Sequence, residues 1–300
     1  MEGASRSGGH VPHRTEYSVP ARETARLSHE ERRSLTHAGF WIPEHERDIY
    51  QRALRTLNER GVPYVVSGLY AMHYYTGVYR QTKDLDLFLE PRWVLAAARA
   101  LKEAGFALHV EDSHWLAKAM WQDIQVDLIF GMGNGIALLD EEWYTNSRAG
   151  ILAAVPVRVA PAEELLWHRL YVNERHRHDM ADVLHLFLCR GTALDWDRLL
   201  RRLDQHVELL LAHVHLFDFS YPGQRERVPD RVREELRARV DAARDTPGDP
   251  DLCQGTLISR FSFNIDVNEW GFTDPRRAAI QATDNLAVIQ QIRESDVWER

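Results

Sequence analysis

The sequence predicts an α+β protein: a mixed β-sheet flanked by helices, followed by a helical C-terminal region. Three observations predict it. Short apolar runs of strand length alternate with helical patterns as far as about residue 160. From Pro161 the periodicity becomes helical and stays so. Residues 65–89, VVSGLYAMHYYTGVYRQTKDLDLFL, read as a buried strand, a Ser67-Gly68 turn, a short helix, and a second strand carrying two acids.

Three hundred residues, 44% hydrophobic and 27% charged, are enough for one large or two moderate domains with real cores. The net charge of −8 argues against general coating of nucleic acid. Nearly all the cations are Arg; the lysines are Lys83, Lys102 and Lys118. Cys189 and Cys253 make neither a zinc spacing nor a disulfide framework, which favours a reducing cytoplasm. With no apolar run of membrane-spanning length and no signal-peptide core at the start, a cytoplasmic protein without membrane attachment is expected.

Along the chain, residues 1–37 are rich in Gly, Ser, Arg, Glu and His and read as a mobile arm. An α/β domain is expected over 38–160, a helical domain over 161–245, and a C-terminal extension packing on the body over 246–300. A first helix starts near Pro43, with Glu44 beside its positive end. Strands are expected at 63–66, 84–89, 106–110, 115–120, 124–130 and, last, 155–159. The helical half reads as four helices: one from Pro161, one from Asp179 to Arg190, one carrying Leu199 to Val214, and one from Pro229. A further amphipathic helix is expected near 278–292. Gly131, Gly133 and Gly135 follow a strand but open no helix, so they are not a dinucleotide fingerprint.

The acids carry the chemistry. Strand alternation places Asp84 and Asp86 on one face, with Leu85, Leu87 and Leu89 on the other. Asp127 lies in a third strand-like run, Gln125 to Phe130. An acid buried in a strand is costly unless it is paired or metal-bound. If the two strands are neighbours, the three carboxylates converge and can hold two Mg²⁺ ions about 3.5–4 Å apart. The Ser67-Gly68 turn between a strand and a helix can cradle an anion with its N–H groups. Asp179 with Asp182 fits a helix N-cap better than a metal site shared with His178 and His185. Arg175 and Arg177 can meet an acceptor. Lys118, in an apolar segment, either contacts phosphate or sits on an exposed strand face.

Ser67-Gly68, then Asp84-Leu85-Asp86, then Asp127 resembles the signature of the polymerase-beta-like nucleotidyltransferases, over about residues 45 to 190. Arg80-x-Thr82-Lys83-Asp84-Leu85-Asp86-Leu87 is similar to the minimal bacterial members, among them antibiotic adenylyltransferase-like proteins and nucleotidyltransferase toxins of toxin–antitoxin systems. The resemblance implies a nucleotidyltransferase-like sheet and transfer of NMP from a nucleoside triphosphate to a hydroxyl acceptor, with pyrophosphate released. It implies Mg²⁺, two ions, on Asp84, Asp86 and Asp127. Nucleotide binding would fall to Ser67, Gly68, Arg80, Lys83 and Arg169. The acceptor would be a small molecule, tRNA or a protein. The alternative reading is a toxin-like or regulatory module acting on tRNA or a protein partner such as an antitoxin, with or without catalysis. Two departures stand out: the turn reads Ser-Gly rather than Gly-Ser or Gly-Gly, and Arg169 stands where relatives often carry Lys.

Overall fold

The computed structural model describes residues 40, 42–136, 139–244, 247–283 and 285–299. The expected arm, 1–37, lies outside the described residues. Seven strands form one mixed sheet: β1 (Val65–Val66), β2 (Asp84–Phe88), β3 (Ala107–Asp112), β4 (Leu116–Trp121), β5 (Ile124–Ile129), β6 (Arg148–Leu152) and β7 (Val155–Val159). The helices are α1 (Glu44–Glu59), α2 (Gly68–Thr76), α3 (Val94–Glu103), α4 (Glu141–Thr145), α5 (Ala162–Leu170), α6 (Met180–Arg190), α7 (Trp196–Leu203), α8 (Val207–Ser220), α9 (Asp230–Arg244), α10 (Asn264–Asn268), α11 (Pro275–Gln281) and α12 (Leu286–Glu294). The α+β class read from the sequence is the class observed.

The strand order is β3-β4-β5-β2-β1-β7-β6. β2 and β5 run parallel at its centre, as do β1 and β7; the other neighbours are antiparallel. Alternation sets the faces of the central pair. Leu85, Leu87, Val126 and Leu128 are fully buried in the core. The α1 residues Tyr50, Ala53, Leu54 and Leu57, at helical spacing, are buried in the same core, and α1 contacts β5, β7 and α3. On the other face of the central pair, Asp84, Asp86, Gln125 and Asp127 line one cleft.

α2 joins this sheet to the helices that follow, contacting β2, α5 and α6. It ends at Gly77, whose φ of +73° is the left-handed cap that glycine accommodates without strain. The last segment of the chain also meets the sheet region. Val297 and Trp298 are buried, the Glu299 N–H donates to Leu108 O (2.7 Å), and Lys102 Nζ donates to Val297 O (2.7 Å).

Three readings need correction. β6 was missed: it is an edge strand in which only Leu152 is buried, so it lacks the half-buried alternation that marks a strand. The expected single helix over Leu199–Val214 is two, α7 and α8, broken at Asp204, whose φ is +48°. The apolar stripe resumes after the break, so periodicity alone could not see it. The helix expected near 278–292 is likewise split into α11 and α12. No helix among the described residues is long and apolar enough to cross a membrane.

Candidate active site

The β2–β5 register pairs Asp84 with Gln125 and Asp86 with Asp127. In a parallel pair, residues in register point to the same face, so the three acids converge. One carboxylate oxygen from each of Asp84, Asp86 and Asp127 lies within 4.8 Å of the others. None of the three makes an ion pair with a cationic side chain, and no other metal-type cluster of His, Cys, Asp and Glu occurs among the described residues. Burial, then Asp84, then Asp127 push the Asp86 carboxyl up to about 7. Burial and Asp84 push Asp127 up to about 6. Arg177 and Arg169 ease Asp86, and Lys118 eases Asp127, only through space, so the cluster remains a concentration of negative charge built of hard oxygen donors, and it fits a divalent cation.

Each outer acid is fixed by a polar residue two positions before it, Thr82 in the loop that enters β2 and Gln125 on β5 itself. Thr82 Oγ1 donates to Asp84 Oδ1 (2.8 Å), and Gln125 Nε2 donates to Asp127 Oδ1 (2.6 Å). Sequence reasoning missed both, although the i, i+2 spacing was there to be read. Lys118 sits directly opposite Asp127 in the β4–β5 register, lines the cleft, and pairs with Glu111 at 3.2 Å.

Ser67 and Gly68 form the other wall. The Ser67 N–H donates to the Asp86 carbonyl (3.0 Å), which ties the start of α2 to β2. Gly68 has a φ of +57°, and a Cβ there would lie 1.8 Å from Asp86 Oδ2. Only glycine lets the helix start approach the carboxylate this closely. The Ser67 hydroxyl is buried without a hydrogen-bond partner, and it too lines the cleft. The first-turn N–H groups of α2 have no carbonyl to bond within the helix.

The predicted cations are distributed differently. Arg169 is buried, and its Nη1 donates to Asp179 Oδ2 and Asp182 Oδ2, both at 2.6 Å. Arg80 Nη2 reaches the same Asp182 carboxylate at 2.6 and 2.5 Å. Both arginines line the cleft, joined through Asp182, so their charge is already matched by carboxylates. Lys83, in the bend before β2, is exposed and lies outside the cleft lining. Asp179 precedes α6 as expected, yet its side chain caps no N–H, because Arg169 holds it instead. Asp182 serves the same network, which leaves it no free oxygen for a metal with His178 and His185. Arg177 lines the cleft; Arg175 does not. His168, also in the lining, is held well below the usual range, at about 3, by burial and by Arg169 and Arg177, and so stays neutral.

No protein-family model matches the chain, and no curated protein matches it. Solved structures do. The antibiotic-resistance factor ANT(2'')-Ia is 18% identical, covering 68% of this chain and 97% of its own, with a TM-score of 0.37. The lincosamide antibiotic adenylyltransferase LnuA, solved with lincomycin bound, is 15% identical, covering 48% and 96%, with a TM-score of 0.35. The Megavirus polyadenylate synthase is 11% identical, covering 83% and 59%, with a TM-score of 0.35. At such scores these structures do not bear on activity, and the functional reading rests on the site itself.

Proposed function

We propose that the protein is a metal-dependent nucleotidyltransferase that moves an NMP group from a nucleoside triphosphate to a hydroxyl acceptor. One observation carries this reading: three carboxylates from two neighbouring parallel strands meet within 4.8 Å, without an ion-pair partner among the described residues, against a glycine-opened helix start. A bound divalent cation would neutralise phosphate charge and polarise the reacting oxygens. The side chains of Asp84, Asp86 and Asp127 would hold it. The first-turn N–H groups of α2 and the Ser67 hydroxyl would bind the triphosphate. Gln125 occupies Asp127 Oδ1, so Oδ2 is left to orient the acceptor hydroxyl and take its proton. The hydroxyl oxygen bonds to the α-phosphorus, and pyrophosphate leaves with the electrons of the broken P–O bond. Nothing in this scheme asks for a covalent intermediate with the protein; its contribution is positioning and charge placement.

The test is incubation with Mg²⁺, labelled nucleoside triphosphates and a panel of hydroxyl acceptors. Transfer is expected with wild type and is abolished in Asp84→Ala. Binding of a non-hydrolysable triphosphate that is indifferent to Mg²⁺ and to Asp84→Ala would sink the reading.

A further inference from the structure

A second cavity of about 270 Å³ adjoins the acid cleft. Trp115, His168 and Arg177 line both spaces, so a molecule in the cavity abuts the cleft. Its far wall is Thr256–Phe261, from the C-terminal stretch in which the sequence shows no motif. This wall is firmly built. Ser259 Oγ donates to Glu174 Oε2 (2.6 Å), the Arg260 N–H donates to Glu174 Oε1 (3.2 Å), and the Asn173 N–H donates to Ile258 O (2.9 Å). Thr256 is buried and its hydroxyl donates to Asp274 Oδ1 (3.0 Å).

The charges around the cavity are unequal. Glu174 is the single carboxylate in the lining, and both its oxygens are already taken by Ser259 and Arg260. Arg276 is held by Asp274. Two guanidinium groups are held less tightly, Arg177 by an ion pair with Asp179 and Arg260 by the field of Asp112. Arg260 lies over the Phe261 ring, 4.5 Å from its centroid, and makes no ion pair among the described residues. Arg177 comes no nearer than 3.7 Å to Asp179, longer than a hydrogen bond. The one carboxylate in the lining is held in place by two neutral donors and is outnumbered by the guanidinium groups, and an anion finds two donors with forked geometry. Trp115, Tyr171 and Phe261 add flat apolar surface.

Given the nucleotidyl-transfer reading, on which this rests, we infer that the cavity is the acceptor subsite and takes a small anionic hydroxyl compound bearing a flat ring. Arg260 and Arg177 hold its anionic group, the aromatic residues hold its ring, and the shared wall presents its hydroxyl to the acid cleft. The volume sits at the small end of ligand pockets, which fits one ring and one anionic group.

The probe is a nucleoside monophosphate, AMP, with adenosine as the uncharged control and an aminoglycoside as the polycation. Binding is measured calorimetrically on the full chain in EDTA, so that metal-bridged phosphate contacts do not contribute. AMP is expected to bind at least about tenfold more tightly than adenosine, and the aminoglycoside not at all. Arg260→Glu should weaken AMP about tenfold or more, the loss of one charged hydrogen-bonding partner. Phe261→Ala should weaken it about threefold. Arg260 and Phe261 are both exposed, so the substitutions leave the fold intact. With Mg²⁺ present, Arg260→Glu should leave the affinity for a non-hydrolysable triphosphate unchanged. Equal binding of AMP and adenosine, tighter binding of the aminoglycoside, or a loss of triphosphate affinity matching that for AMP would each overturn the inference. The two readings fail separately. If Mg²⁺-dependent triphosphate binding is absent while Arg260-dependent AMP binding persists, the transfer reading falls and the anion subsite stands.

Discussion

Two clusters of carboxylates meet in this molecule on different terms. On α5, Glu163 and Glu164 face Arg198 and Arg202 from α7: Arg198 reaches both acids (3.2 Å to Glu164), and Arg202 lies 3.5 Å from Glu164. Arg202 also bonds Asp140 and stacks over the Trp167 ring, 5.1 Å from its centroid. On β2 and β5, Asp84, Asp86 and Asp127 have no guanidinium or ammonium in ion-pair contact among the described residues. Their polar partners are an amide and a hydroxyl, which fix orientation without cancelling charge. The first cluster is matched in charge and ties α5 to α7, although the Glu164 oxygens sit in ion-pair contact without a hydrogen bond among the described residues. The second is held in repulsion beside a glycine that lets the chain come close, an arrangement that makes sense when a cation and phosphates complete it.

The largest expected effect comes from treating the two clusters alike. Arg198→Ala leaves two buried glutamates short of their partner and should cost about 3–5 kcal/mol of stability. Asp86→Asn removes a like charge from the triad and should leave stability unchanged or slightly raised, while transfer falls by about 10³-fold or more. Urea unfolding of both variants, run beside the transfer assay, checks the pair. Equal destabilisation by the two substitutions would erase the distinction between the clusters.

A smaller effect sharpens what the glycine does. Gly68→Ala puts a Cβ where Asp86 Oδ2 now lies and imposes strain at a φ of +57°. Displacement of Asp86 should lower transfer about 100-fold, with about 1–2 kcal/mol of stability lost to the backbone. Gly223→Ala, where an added Cβ meets nothing within 4 Å, is the control and should change neither. Full activity in Gly68→Ala would mean that close approach of α2 to Asp86 is not required.

Much of the acid site was legible before folding because strand alternation is a local rule: Asp84 and Asp86 had to share a face. The adjacency of β2 and β5 was not local. They are separated by two further strands and a helix, and only the resemblance of the motif pointed to it. What the sequence hid follows the same division. β6 lies at the sheet edge, so burial leaves almost no pattern on it. Asp179 has the position of a cap, but Arg169, ten residues earlier, competes for its carboxylate and wins. The Thr256–Phe261 stretch has no motif, because its meaning comes from Glu174 and Arg177 across the cavity.

The smallest effect concerns pH and probes the paired cluster. Burial pushes Glu164 up to about 7, against the pull of Arg198 and Arg202. The folded chain therefore keeps this proton up to near neutrality, while the unfolded chain releases it near 4.5. With more protons bound in the folded state, stability falls as pH rises through this window and levels off above it. Glu164→Gln cannot titrate. Its stability relative to wild type should rise by on the order of 2 kcal/mol between about pH 4.5 and 7.5, whatever constant offset the substitution brings. The aspartates titrate alike in both proteins, so the difference isolates Glu164. Thermal unfolding of both chains across that range reads it. A difference that is flat, or that runs the other way, would mean that the arginines hold Glu164 ionised and that the cluster is an ordinary salt bridge at every pH where the protein folds.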